Sequence, residues 1–405
     1  MDVTTTEQAS QRWRVLAAGV LSMVLMQGIA RFAYTPLLPL MQQQAGMGVA
    51  EGGWLASANY FGYLCGALLA SVISDLQVKD RLYRLSLVLA VLTTLMMGLA
   101  ADGWLWGISR FVAGLSTAGG MLLGSGLVLN WLMRNNHRSE LGIHFSGIGI
   151  GIVLCSLAVV FLTPSFDWRE QWFLFTAAGA LLAVPAWRWL PRPVTTPVSS
   201  HAQSMADNPP RPAVLRVFMA AYFCAGIGYV VSATFIVAIV DHLPGMRGKG
   251  AWVFMVLGLA AAPACILWDF IARRVGQFNA LVLASGSQIV GILMPVMADG
   301  LPAALLGAAL FGGTFIGLVS LVLAMAGRYY PTRPAKMMGK MTVAYGIAQI
   351  AGPAVTGWLA ANGGSYADGL YMAAGMMVVG TALLWWMRSM EMRPAPVLRV
   401  VREST

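Results

Sequence analysis

The chain has 405 residues, of which 58% are hydrophobic and only 10% charged, with a formal net charge of +10. Soluble domains carry about a quarter charged residues, so the composition excludes an ordinary water-soluble protein and indicates a polytopic membrane protein. The basic excess does not indicate nucleic acid as a partner, because of where it falls along the chain.

The residues up to Trp13 are polar, and an apolar stretch follows from Arg14 to Met41. At about 27 residues it is too long for a signal-peptide core and long enough to span a bilayer, so it reads as a retained first helix. Further apolar segments run over 51–74, 84–102, 104–133, 139–163 and 168–190. After a break they resume at 213–241, 250–272, 277–299, 301–327, 337–361 and 364–388. Each must be a helix, because backbone exposed to lipid has to satisfy its hydrogen bonds within the segment. The expected fold is all-α: twelve transmembrane helices in two six-helix bundles. Residues 1–190 form the first bundle and 213–405 the second with its tail. Residues 191–212, rich in proline, form a flexible linker.

Trp13, Trp54, Trp104, Trp131, Trp168, Trp189, Trp252 and Trp385 fall at or near segment ends, where interfacial indoles belong. The cations set the orientation. Twenty-one of the 26 lysines and arginines fall on the side of both termini. Arg169, Arg247 and Lys249 fall on the other, and Arg31 and Arg110 lie within apolar segments. This bias predicts cytoplasmic termini and contact with anionic lipid. The four cysteines, Cys65, Cys155, Cys224 and Cys265, all lie in apolar segments without CxxC spacing, so neither a disulfide framework nor a metal knuckle is expected.

The two halves repeat. Gly28 and Gly226, Trp54 and Trp252, Gly114 and Gly312, and Gly119 and Gly317 are each separated by 198 positions. In the fifth segment Gly142 and Gly339, and Gly149 and Gly346, are separated by 197. Six matches in order describe a parallel repeat, with the substrate site between halves near the midplane.

A 6+6 chain of this kind resembles the major facilitator superfamily. Asp75 with Lys79, and Asp269 with Arg273, are eroded copies of the family's motif A; Ser71 and Cys265 stand where its leading glycine belongs. The resemblance assigns these four residues to gating. Arg110 to Gly114 fits the spacing of motif B, whereas the proline of motif C is missing from Gly147 to Gly151. More narrowly, GIARFAYTPLLP from Gly28, HFSGIGIG from His144, GIGYVVSATF from Gly226 and Gly352-Pro353 are similar to the YbfB/YjiJ-type branch. The superfamily implies secondary transport and a monomer; the branch implies no agreed substrate.

Gln27, Arg31 and Tyr34 fall at i, i+4 and i+7, one face of an ideal helix. Arg31 and Arg110 lie at similar depth in segments without a matching carboxylate, and an arginine there costs about 2.5–3.5 kcal/mol on insertion scales. One reading has both holding an anion by charge-assisted hydrogen bonds. Other readings have Arg31 snorkel outward and give Arg110 the structural or proton-transfer role that motif B implies.

At the repeat offset the second half offers Tyr229 and Ser232, joined by Thr234, Tyr345 and Gln349. These are cavity candidates, or interhelical glue. Asn59, Tyr60 and Tyr63 are weaker candidates. His144, in the fifth segment, is either a proton-coupling group or a packed histidine.

No phosphate-binding loop, catalytic set or cofactor motif is present, so neither a primary pump nor an enzyme is expected within this chain. The leading expectation is a proton-coupled transporter of a small organic anion or amphipathic metabolite, in a bacterial inner membrane. Broad efflux of hydrophobic compounds is the alternative. Copper uptake through Met337 and Met341, Met372 and Met376, or His242 and Met246 is weaker, because methionine as core filler explains these pairs.

Overall fold

The computed structural model describes residues 3–135, 137, 140–194, 208–298, 300–330, 334–363 and 365–392. Residues 195–207 of the expected linker and 393–405 of the expected tail lie outside the described residues, as do Arg138 and Arg333 of the basic set. Among the described residues the secondary structure is helical, with no strand.

The first segment is one path built of α1 (Val3–Met23), a π-helix (Val24–Phe32) and α2 (Tyr34–Gln44). It starts well before the expected residue 14. The polar extension continues the helix past the apolar stretch, and Arg12 within it pairs with Glu140. Next come α3 (Val49–Val72), α4 (Leu76–Leu99) and α5 (Gly103–Ala118). A second π-helix (Gly119–Gly124) joins α5 to α6 (Ser125–Arg134), and α7 (Leu141–Leu162) and α8 (Trp168–Trp189) follow.

Beyond the linker run α9 (Pro212–His242), α10 (Gly250–Ala261), α11 (Ala264–Val275) and α12 (Gln277–Met297). The last three are α13 (Leu301–Tyr329), α14 (Pro334–Gly363) and α15 (Ala367–Met392).

Among the described residues nine of these stretches are long and apolar enough to cross a membrane, and ten if α10 and α11 count as one span. That pair bends by 47° where the sequence predicts one helical segment over 250–272. Pro263, at the break, has no N–H to continue the ladder and its ring crowds the preceding turn. Two further stretches coincide with expected segments but are less apolar: α8 carries charge at both ends, and α14 is diluted by glycine, threonine and glutamine. Trp168 begins α8 but is buried, edge-on against Trp106 at 5.6 Å, whereas Trp54, Trp104 and Trp252 are exposed.

Small residues let the helices approach closely, which is how helices associate where lipid offers no hydrophobic drive. A side-chain carbon built on Gly114 of α5 would lie 2.9 Å from the Asn59 carbonyl carbon of α3. On Gly312 of α13 it would lie 2.8 Å from the Leu257 carbonyl carbon of α10. Both glycines and both partners are separated by 198 positions. Gly28 likewise meets Gly151 at 2.7 Å and Gly226 meets Ala348 at 2.7 Å, with the partners separated by 197. The repeat read from the sequence is therefore present as a repeat of contacts.

Gly114→Ala should lower the melting temperature of the purified protein, because the new methyl meets backbone rather than a movable side chain. Gly313→Ala, in open space one residue from Gly312, should leave it unchanged; equal stability of the two variants would refute the contact.

Candidate functional site

A cavity of about 420 Å³ lies between the first π-helix, α3, α9, α13 and α14. It runs from Arg31 and Tyr229 to Ser71 and Lys79, where α3 ends and α4 begins, and it reaches the surface there. The opposite end is closed by contacts between the first and second halves of the chain. Thr35 donates to the Ala233 carbonyl at 2.9 Å, Ser57 to the Ile350 carbonyl at 2.7 Å, and Gln42 to the Tyr366 hydroxyl at 3.3 Å.

Arg31 lines the cavity and is 7% exposed. Its guanidinium carbon lies 4.6 Å from the Tyr60 ring centre, 5.0 Å from Tyr63 and 5.5 Å from Phe32. The electron-rich ring faces thus stand in for a counter-ion, and among the described residues no carboxylate lines the cavity. Gln27 steadies the group, accepting from the guanidinium at 3.4 Å and donating onward to the Thr117 carbonyl at 3.4 Å. The Arg31 Nε is buried without a partner.

Tyr34 does not share this face. The π-helix bonds i to i+5, as in Ala33 N–H to Gly28 at 2.8 Å, so each turn takes in more residues and the i+7 position rotates away. The Tyr34 hydroxyl instead donates to the Gly52 carbonyl at 2.9 Å, outside the cavity.

Arg110 approaches Arg31 by backbone, not by charge. It donates to the Ala30 carbonyl at 3.0 Å and the Arg31 carbonyl at 3.4 Å, and it stacks on Tyr34 at 4.5 Å. These bonds satisfy carbonyls of the π-helix and tie α5 to it.

The opposite wall is aromatic. Tyr229 stacks on Phe315 at 5.2 Å and faces Tyr345 at 5.9 Å, while Tyr222 stacks on Tyr345 at 4.4 Å. Gln349 lines the cavity beside them, its carbonyl oxygen unpartnered. Ser232 and Asn59 are buried but outside the cavity; Asn59 donates to the Arg110 carbonyl at 2.9 Å. Thr234 pairs with the Tyr60 hydroxyl at 3.4 Å.

His144 also lies outside the cavity, fully buried and bonded to Ser125 at 3.0 Å. Lys79 stands on the cavity rim, whereas Asp75 caps α4 by accepting from the Gln77 N–H at 2.6 Å. Asp269 and Arg273 form an exposed i, i+4 pair at 2.7 Å.

Sequence reasoning missed Tyr222, Phe315 and Thr342, all on the cavity. The helices of Tyr222 and Phe315 are apolar nearly all round, so no pattern marks their inward face, whereas Thr342 lies one turn before Tyr345 on α14. It also missed the buried pair Asp80 and Arg84, from which Arg84 reaches the Trp187 carbonyl at 2.6 Å and the Leu190 carbonyl at 3.1 Å.

Residues 22–385 match the model of a protein family described as "Uncharacterised MFS-type transporter YbfB". The chain belongs to this family. It is a polytopic membrane transporter of the major facilitator type and not an enzyme. Among its relatives, the MFS-type transporter YceJ of Bacillus subtilis is 25% identical over 67% of this chain and 70% of its own length. The benzoate transport protein of Acinetobacter baylyi is 25% identical over 45% of this chain and 40% of its own. The gentisate transporter of Corynebacterium glutamicum is 20% identical over 76% of this chain and 72% of its own. In fold, the chain is similar to a crystal structure of a mutant of the nucleoside transporter NupG. The TM-score is 0.74 at 14% identity, covering 92% of this chain and 99% of that one.

Proposed function

We propose that this transporter moves a small organic anion across a bacterial inner membrane by alternating access. Residues 1–190 and 213–405 rock about the cavity between them, and 191–212 tethers them. The observation that carries the reading is Arg31, a buried cation that faces the cavity and has an unpartnered donor, with no carboxylate among the described lining residues. Gln27, Tyr229, Tyr345 and Gln349 complete the ligand-facing set. Carboxylate cargo in the benzoate and gentisate relatives supports the same charge.

With the termini on the cytoplasmic side, as the cation bias indicates, the cavity opens inward. Lys79, on its rim, then draws anions toward it. Proton coupling is part of this reading on the strength of the superfamily. His144 and Arg110 lie outside the cavity, so a proton carried by either moves apart from the ligand.

The test is a melting-temperature screen of the purified protein over carboxylates, amines and neutral compounds, since a ligand that binds only the folded state stabilises it. Carboxylates should raise the melting temperature and amines should not. Stabilisation confined to amines or neutral compounds would sink the anion reading.

A further inference from the structure

We propose that the cargo is an aromatic monocarboxylate, its ring laid on the wall of Tyr229 and Phe315 and its carboxylate on Arg31. This rests on the anion reading above and adds the chemical class.

The wall facing the cation is built from aligned rings. The planes of Tyr229 and Phe315 differ by 22°, and those of Tyr229 and Tyr345 by 21°. Rings that merely fill a core meet at all angles, as Trp106 and Trp168 do here at 85°. At centroid separations of 5.2 and 5.9 Å these rings form an offset stack, and Tyr229, Phe315 and Tyr345 all line the cavity. A planar ring that joins the stack from the cavity gains offset stacking beyond the area it buries, whereas a puckered ring or an alkyl chain gains only the area.

Charge restricts the other end of the molecule. Among the described residues Arg31 is the one cation deep in the cavity, since Lys79 sits at its mouth. A single carboxylate can pair with the guanidinium where Arg31 lines the cavity. A second carboxylate at that depth would be desolvated without a partner. The cavity volume of about 420 Å³ falls toward the small end of ligand sites, which suits a one-ring molecule.

The experiment uses the purified full-length chain with four probes: benzoate, cyclohexanecarboxylate, phthalate and benzamide. Binding is read from ligand-dependent melting and from competition in proteoliposome uptake. Benzoate should bind, and cyclohexanecarboxylate, with the same charge but no flat face, should bind about tenfold more weakly. Phthalate and benzamide should fail to compete.

Phe315→Leu and Tyr229→Leu should bring benzoate and cyclohexanecarboxylate to similar affinity. Melting without ligand checks that each variant folds, and the comparison in the unaltered protein decides the matter if neither does. Equal binding of benzoate and cyclohexanecarboxylate by the unaltered protein would overturn the aromatic assignment and leave the anion reading standing. Benzamide binding as well as benzoate, or no benzoate effect at millimolar concentration, would overturn the assignment. In the benzamide case the anion reading falls with it.

Discussion

Arg31→Gln should abolish ligand-dependent stabilisation and proteoliposome transport while leaving the melting temperature of the unliganded protein nearly unchanged. The side chain lies against Tyr60, Tyr63 and Phe32 and makes one long hydrogen bond, to Gln27 at 3.4 Å. Glutamine keeps a polar end in the same space and removes a buried charge that no described carboxylate offsets, so little native stability is lost. The ligand loses its partner. Truncating one side of a buried, hydrogen-bonded charge pair costs about 2–5 kcal/mol, which is about thirtyfold to several thousandfold in affinity. Arg31→Lys should fall between, because ammonium keeps the charge but loses the planar fork and its fit between the rings. Transport unchanged in the glutamine variant would remove Arg31 from the ligand site.

Arg110→Met should produce the opposite pattern, a lower melting temperature and poor yield whether or not ligand is present. Arg110 donates to the Ala30 and Arg31 carbonyls, and its ring partner is Tyr34. Methionine fills similar volume but donates nothing, and each buried carbonyl left unsatisfied costs about 1–3 kcal/mol. The π-helix would lose the group that holds it against α5. If the methionine variant melted like the unaltered protein yet failed to transport, the structural role would be refuted in favour of a functional one. Two arginines that look alike in the sequence thus separate by a pair of melting curves.

What can be read without coordinates follows the demands of lipid on backbone. Segment positions are legible because a spanning helix must be both long and apolar, and the repeat because close contacts admit only small residues such as Gly114 and Gly312. Arg31 and Gln27 stand out as polar groups in apolar surroundings, and both line the cavity.

Phase is less legible. Counting 3.6 residues per turn puts Tyr34 on the ligand face, but the stretch before it winds as a π-helix. Nothing local marks VLMQGIARF as π-helical; the carbonyls it frees are satisfied by Arg110, 79 positions or more away in sequence. The break at Pro263 does have a signal, a proline within an apolar run, which the length of the run outweighs in a reading by segments. Phe315 and Tyr222 leave no trace, because on a helix that is apolar throughout a ring facing a cavity reads like a ring facing a neighbour.

The contacts that recur at 198 and 197 positions are made by glycine against backbone or an alanine methyl, whereas the chemistry of the cavity is not repeated: Arg31 has Tyr229 as its counterpart. Frame and cargo preference are therefore written in separate sets of residues. A substitution at Arg31, Tyr229 or Phe315 touches none of the four glycine contacts that define the frame, so the diet of such a carrier can drift by single steps while its architecture stays put.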